Sequence, residues 1–239
     1  MIRPSPVWET RAPGVALNGV PGLGWGMDSR RFSREMLIFL VAVPVAWGIL
    51  LLFHPGGSAD DVYGSIHDQV TAMLVVHIGM LIFIPLMAAA IYLLVRDYDS
   101  TAARVTKISL PFFVVFYIAW ETLQGIANGI LVGKVNDLPG SERETGVNLV
   151  QDFAESPLAK DLGVFATIGT LGLIVALIGA GITLRREARA PLSVALLLGL
   201  SGFLISAHPP PLGPTGLALF VAAVLMFARS PATPRPASA

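Results

Sequence analysis

Cysteine is absent from all 239 residues. Disulfides, thiolate metal sites and thiol nucleophiles are therefore excluded together. Charge is scarce as well: Asp, Glu, Lys and Arg make up 13% of the chain, against about 25% in an ordinary soluble domain. There is no Gly-rich phosphate loop ending in Lys-Ser/Thr and no Gly-x-Ser-x-Gly elbow, so neither nucleotide hydrolysis nor the esterase arrangement is expected. No lysine lies inside an apolar stretch to carry a Schiff base, and no clustered histidine boxes occur. The net charge is zero and there is no large basic patch, which excludes nucleic acid as a partner.

What the chain has is hydrocarbon, at 54% of residues. The apolar residues gather into blocks at about 36–53, 70–95, 108–132, 162–184, 191–207 and 212–228. Most approach the ~20 residues that a helix needs to cross a bilayer; the block at 191–207 is short. The expected fold class is all-α: a polytopic membrane bundle of six transmembrane helices within residues 30–229, with the lipid bilayer as its first partner. Residues 1–29, rich in Pro and Gly, read as a flexible cytoplasmic tail, and 230–239 as a disordered end.

Thirteen of the sixteen Lys and Arg residues fall on one side of this arrangement, and only Lys134, Arg143 and Lys160 on the other. The positive-inside rule then places both termini in the cytoplasm. Arg outnumbers Lys thirteen to three, and Ala, Gly, Val and Pro are frequent, a bias that suggests a bacterial inner membrane. The connection at 133–161 lies outside. Its apolar residues Val147, Val150, Phe153 and Ala154 fit a short interfacial helix.

One polar stripe interrupts the hydrocarbon. Tyr117, Glu121, Gln124 and Asn128 recur at helical spacing on one face of the third block. A carboxylate at membrane depth is costly enough to mark a functional site. On the second block Met73, His77, Met80 and Met87 also share a face. At ~1.5 Å rise per residue, His77 lies about 10 Å, Glu121 about 16 Å and Gln124 about 12 Å below the outer edge. His77 and Glu121 are thus the candidate catalytic pair, one donating and the other accepting a proton. Tyr117, Trp120, Gln124 and Asn128 would line a ligand pocket.

His54 and His208 each precede proline at an outer helix end. They could complete a metal site with His77 and Glu121, since imidazole and carboxylate suit transition metals; haem or copper would be the cofactor. No His-x-x-x-His or Glu-x-x-His pair supports this on a single helix. Three functions follow: a pocket for a small or lipophilic molecule with acid–base turnover or proton coupling, a metal or haem protein, and an accessory subunit. In the last, His77 and Glu121 only fix helix pairing, within a homo-oligomer or beside partner subunits.

Overall fold

A computed structural model describes residues 32–230, and among these the fold is all-α with no strand. The expected tails at 1–29 and 230–239 lie outside the described residues apart from Ser230. The elements are α1 (Arg34–Leu51), α2 (Val62–Ile66), α3 (Val70–Val95), α4 (Thr101–Glu121), a π-helical segment (Thr122–Ala127), α5 (Asn128–Asn136), α6 (Gly140–Ala154), α7 (Val164–Glu187), α8 (Leu192–Ser206) and α9 (Leu212–Arg229). The third apolar block extends further than its hydropathy suggests. α4, the π segment and α5 form one continuous helix from Thr101 to Asn136. It starts early because Ser100 Oγ caps it, accepting from Ala103 N at 3.4 Å. Lys107 reaches back to donate to the carbonyls of Arg96 and Tyr98 at 3.0 and 2.8 Å.

Among the described residues, five helices are long and apolar enough to cross a membrane. α8, with 15 residues, is shorter than the others. It nevertheless closes the bundle: α1 packs on α3, α3 on α4, α4 on α7, α7 on α8, α8 on α9 and α9 back on α1. Trp47, Met80, Ile84, Met87, Phe113, Leu173, Leu177 and Phe220 fill the interior. Ile38, Ile49, Val75, Ile82, Val115, Leu171, Leu196 and Phe203 point outward and are exposed. Large apolar side chains on both faces of a helix suit hydrocarbon surroundings rather than water.

Two close approaches set the position of α4. A Cβ at Gly169 or Gly172 of α7 would come within 2.7 Å of Tyr117 N or 2.6 Å of Phe113 N, respectively. These glycines bring the two backbones together, as small residues do between helices in lipid. Tyr117, and Glu121 one turn later, are held accordingly.

The helix expected at 133–161 is α6, and it does not lie free. Gly146, Val150 and Ala154 are buried, with Val147 packed beside them in a small second core against α2 and α5. Gln151 ties α6 to the loop before α2, accepting from Val62 N at 3.1 Å and donating to Ala59 O at 2.8 Å.

Candidate functional site

His54 follows α1, where Pro55, Gly56 and Gly57 stop the helix. Its Nδ1 donates to the carbonyl of Pro55 at 2.7 Å. His77 sits two turns into α3, 2% exposed, and its Nδ1 donates to Met73 O at 2.7 Å. Glu121 ends α4 and is 1% exposed. His208 follows α8, just before Pro209, Pro210 and Pro211.

These four residues, from four separate parts of the chain, converge. His77 Nε2 lies 3.5 Å from Glu121 Oε2, and His208 Nδ1 lies 3.7 Å from Glu121 Oε1. His54 and His208 face each other Nε2 to Nε2 at 3.2 Å. One nitrogen from each of the three histidines lies within 4.8 Å of one from each of the others. The ring centroids of His54 stand 4.9 Å from His77 and 4.8 Å from His208. Outside the helices, burial holds the His54 ring below the usual histidine range, opposed by its hydrogen bond to Pro55. Burial, then the nearby His54 and His77, hold His208 well below that range.

The π segment completes the arrangement. Its extra residue per turn advances the register between Glu121 and Asn128, so the straight stripe expected from α-helical spacing is bent. Tyr117, Glu121 and Asn128 are buried, while Gln124 is half-buried. Gly125, within the segment, presses against the His77 ring; a Cβ there would collide with the imidazole. Single π turns inside α-helices are frequent at functional sites.

A cavity of about 470 Å³ opens beside the cluster. Its wall includes His54, His77, His208, Trp120, Gln124, Asn128 and Asp161, with apolar surface from Pro55, Val62, Ile66, Met73 and Leu162. Trp120 Nε1 donates to Ala159 O at 2.9 Å and packs edge-on to His208 at 5.3 Å between centroids. Tyr117 does not line the cavity. Its hydroxyl stands behind the site, donating to Ser206 O at 3.3 Å and lying 3.5 Å from His208 Nδ1. Among the described residues, no Lys or Arg lines the cavity.

The polar wall has a fixed polarity. Asn128 Nδ2 donates to the main-chain carbonyl of Gln124 at 3.1 Å and to its Oε1 at 2.8 Å. Because a carbonyl only accepts, the Asn128 amide cannot be flipped. Gln124 Nε2 is then left to face Asp161 Oδ1 at 3.4 Å. Asn128 Oδ1 and Glu121 Oε1 remain buried with no hydrogen-bond partner; the 3.7 Å to His208 is too long for one. Trp47 Nε1, a third such group, does not line the cavity.

The structure therefore brings His77, Glu121, His54 and His208 to one point, with Trp120, Gln124 and Asn128 on the cavity wall. His67 stays apart, exposed and stacked on Tyr63. Met80 is core, whereas Met73 touches the cavity and holds His77 through its carbonyl. Sequence spacing missed Asp161, which lies in the outer connection, and the π segment. Gly125 was the only local sign of the latter. Comparison with known proteins yields no matching family model, no matching characterised protein and no matching solved structure.

Proposed function

We propose that this chain is a bacterial inner-membrane protein with both termini cytoplasmic, whose polar cavity binds a small molecule from the extracytoplasmic side. The observation that carries this reading is Asn128 Oδ1: a buried acceptor of fixed orientation, without a partner, on a residue that lines the cavity. An unpaired buried acceptor costs about 1–3 kcal/mol. Such groups persist in native structures where something else satisfies them. A ligand carrying a hydroxyl or amine hydrogen supplies what is missing. The cavity volume falls within the range of about 300–1,000 Å³ usual for small-molecule sites. Its apolar wall favours a molecule with a hydrocarbon portion as well.

Glu121 and His77 stand beside this cavity at 3.5 Å, suitably placed to take and return a proton. The reading is tested by extracting protein purified in mild detergent and identifying retained small molecules by mass spectrometry. The wild type should retain a hydroxyl- or amine-bearing compound that Asn128→Leu and Glu121→Gln lose. Identical extracts from all three proteins would refute the pocket as a binding site.

A further inference from the structure

We propose that His54, His77 and His208 hold a divalent transition-metal ion through their three Nε2 atoms, with Glu121 as the neighbouring carboxylate. This goes beyond the ligand reading and does not depend on Asn128.

The argument begins with the hydrogens. His54 Nδ1 and His77 Nδ1 each face a backbone carbonyl at 2.7 Å, and a carbonyl can only accept. Each Nδ1 therefore carries the hydrogen, and in a neutral ring Nε2 presents a bare lone pair. Backbone carbonyls fix the tautomers of metal-binding histidines in the same way. His208 Nδ1 faces the Tyr117 hydroxyl oxygen at 3.5 Å and Glu121 Oε1 at 3.7 Å. Both can receive its hydrogen as the site tightens, which leaves its Nε2 bare too.

The bare atoms then confront one another. His54 Nε2 meets His208 Nε2 at 3.2 Å, and His77 Nε2 meets Glu121 Oε2 at 3.5 Å. Without a metal, each contact needs a hydrogen of its own. One cation satisfies both. Two nitrogens bound at about 2.0–2.1 Å to one tetrahedral ion lie about 3.3 Å apart, which is the His54–His208 spacing. With one ring nitrogen of each histidine already within 4.8 Å of one from each of the others, modest side-chain shifts gather the third onto such an ion.

The donor set selects the ion. Three imidazoles and one carboxylate suit zinc, cobalt or copper rather than magnesium or calcium, which prefer oxygen. Glu121 is buried, with His77 and His208 beside it and the like charge of Asp161 acting on it across the site. A divalent ion there offsets its charge, which an unpaired buried carboxylate could not tolerate. Three histidines leave a fourth position, which Glu121 or a molecule in the cavity that the same histidines line can take. The ligands also come from the turns after α1 and α8, from α3 and from the end of α4, so the ion would join the ends of four membrane helices.

The test uses the full chain in detergent, stripped with a chelator and titrated with Co(II). The expected result is one equivalent bound, with intense visible bands of tetrahedral type, displacement by Zn(II), and a higher thermal unfolding temperature. His54→Gln and His208→Gln should each weaken Co(II) binding by at least about 100-fold, the upper end of what partners outside the ligand set contribute. His67→Gln should match the wild type. A wild-type protein without the bands and without thermal stabilisation overturns the proposal, whatever the variants do. Bands retained at full affinity in both His54→Gln and His208→Gln overturn it equally.

Discussion

His54 and His208, 154 positions apart in the chain, meet Nε2 to Nε2 at 3.2 Å. The same device delivers both: an apolar helix stopped by proline one residue beyond a histidine. α1 and α8 are not neighbours in the bundle; α9 packs between them, touching both. The contact is therefore made by the turns that follow the helices rather than by the helices themselves. His77 reaches it from within α3, and Glu121 from the end of α4.

This burial has a pH signature. Both rings sit below the usual histidine value of about 6.5. In the unfolded chain they take up protons as pH falls through about 6.5, whereas the folded protein resists until lower pH. The unfolded state thus binds more protons in that window. The stability concerned is fully present above about pH 6.5 and is lost as pH falls towards the folded values. Apparent unfolding temperatures of chelator-treated protein should be level from pH 8 to about 7, then fall toward pH 5. The double variant His54→Gln/His208→Gln should give a flatter profile; an unchanged slope would assign the effect to other groups.

Gly125 offers a steric test of the same centre. An added methyl would strike the His77 ring, so either the ring or the π segment must move. Gly125→Ala should destabilise the protein by about 1–3 kcal/mol, as overpacking does, and should disturb whatever the cluster binds. Gly133→Ala, lower on the same helix, is the control: its Cβ meets only Val70 Cγ1 at 3.5 Å, an ordinary contact. Alanine favours a helix over glycine, so this variant should unfold no lower than the wild type. Equal effects from the two would show that His77 is not tightly seated.

Hydropathy alone made most of the fold legible, because a helix in hydrocarbon must be a long apolar run and little else satisfies its backbone. The His77–Glu121 encounter was legible for a related reason: helix rise converts residue number into depth. The placing of His54 and His208 at the same outer end was legible from their His-Pro helix ends, but their direct ring contact was not, since depth says nothing about which turns lie side by side. Asp161 was hidden because it belongs to a connection without helical period. The π segment was hidden because nothing in Thr122–Ala127 departs from ordinary helix-compatible sequence except Gly125. It explains why Gln124 is only half-buried while Asn128 is fully enclosed.

The chain direction of the site can be settled with the cysteine-free background. Helices α1, α3, α4, α7, α8 and α9 alternate in direction if each crosses the membrane. Arg34, Arg96, Arg104, Lys107, Arg185, Arg186, Arg189 and Arg229 then cluster at one end of the bundle, and Lys134, Arg143 and Lys160 at the other. The His–Glu cluster belongs to the second, cation-poor end. The positive-inside rule predicts that this end faces outward. Asp99 and Glu144 are exposed and lie at the two ends, so single Asp99→Cys and Glu144→Cys variants are suitable probes. A membrane-impermeant maleimide added to intact spheroplasts should label Glu144→Cys at once, and Asp99→Cys only after the membrane is opened. The reverse pattern would open the cavity to the cytoplasm, and its ligand would then have to come from the cytoplasmic pool of small molecules. A third pattern, with both sites labelled before the membrane is opened, would mean that the helix between them, Thr101–Asn136, does not cross, and that the alternation fails there.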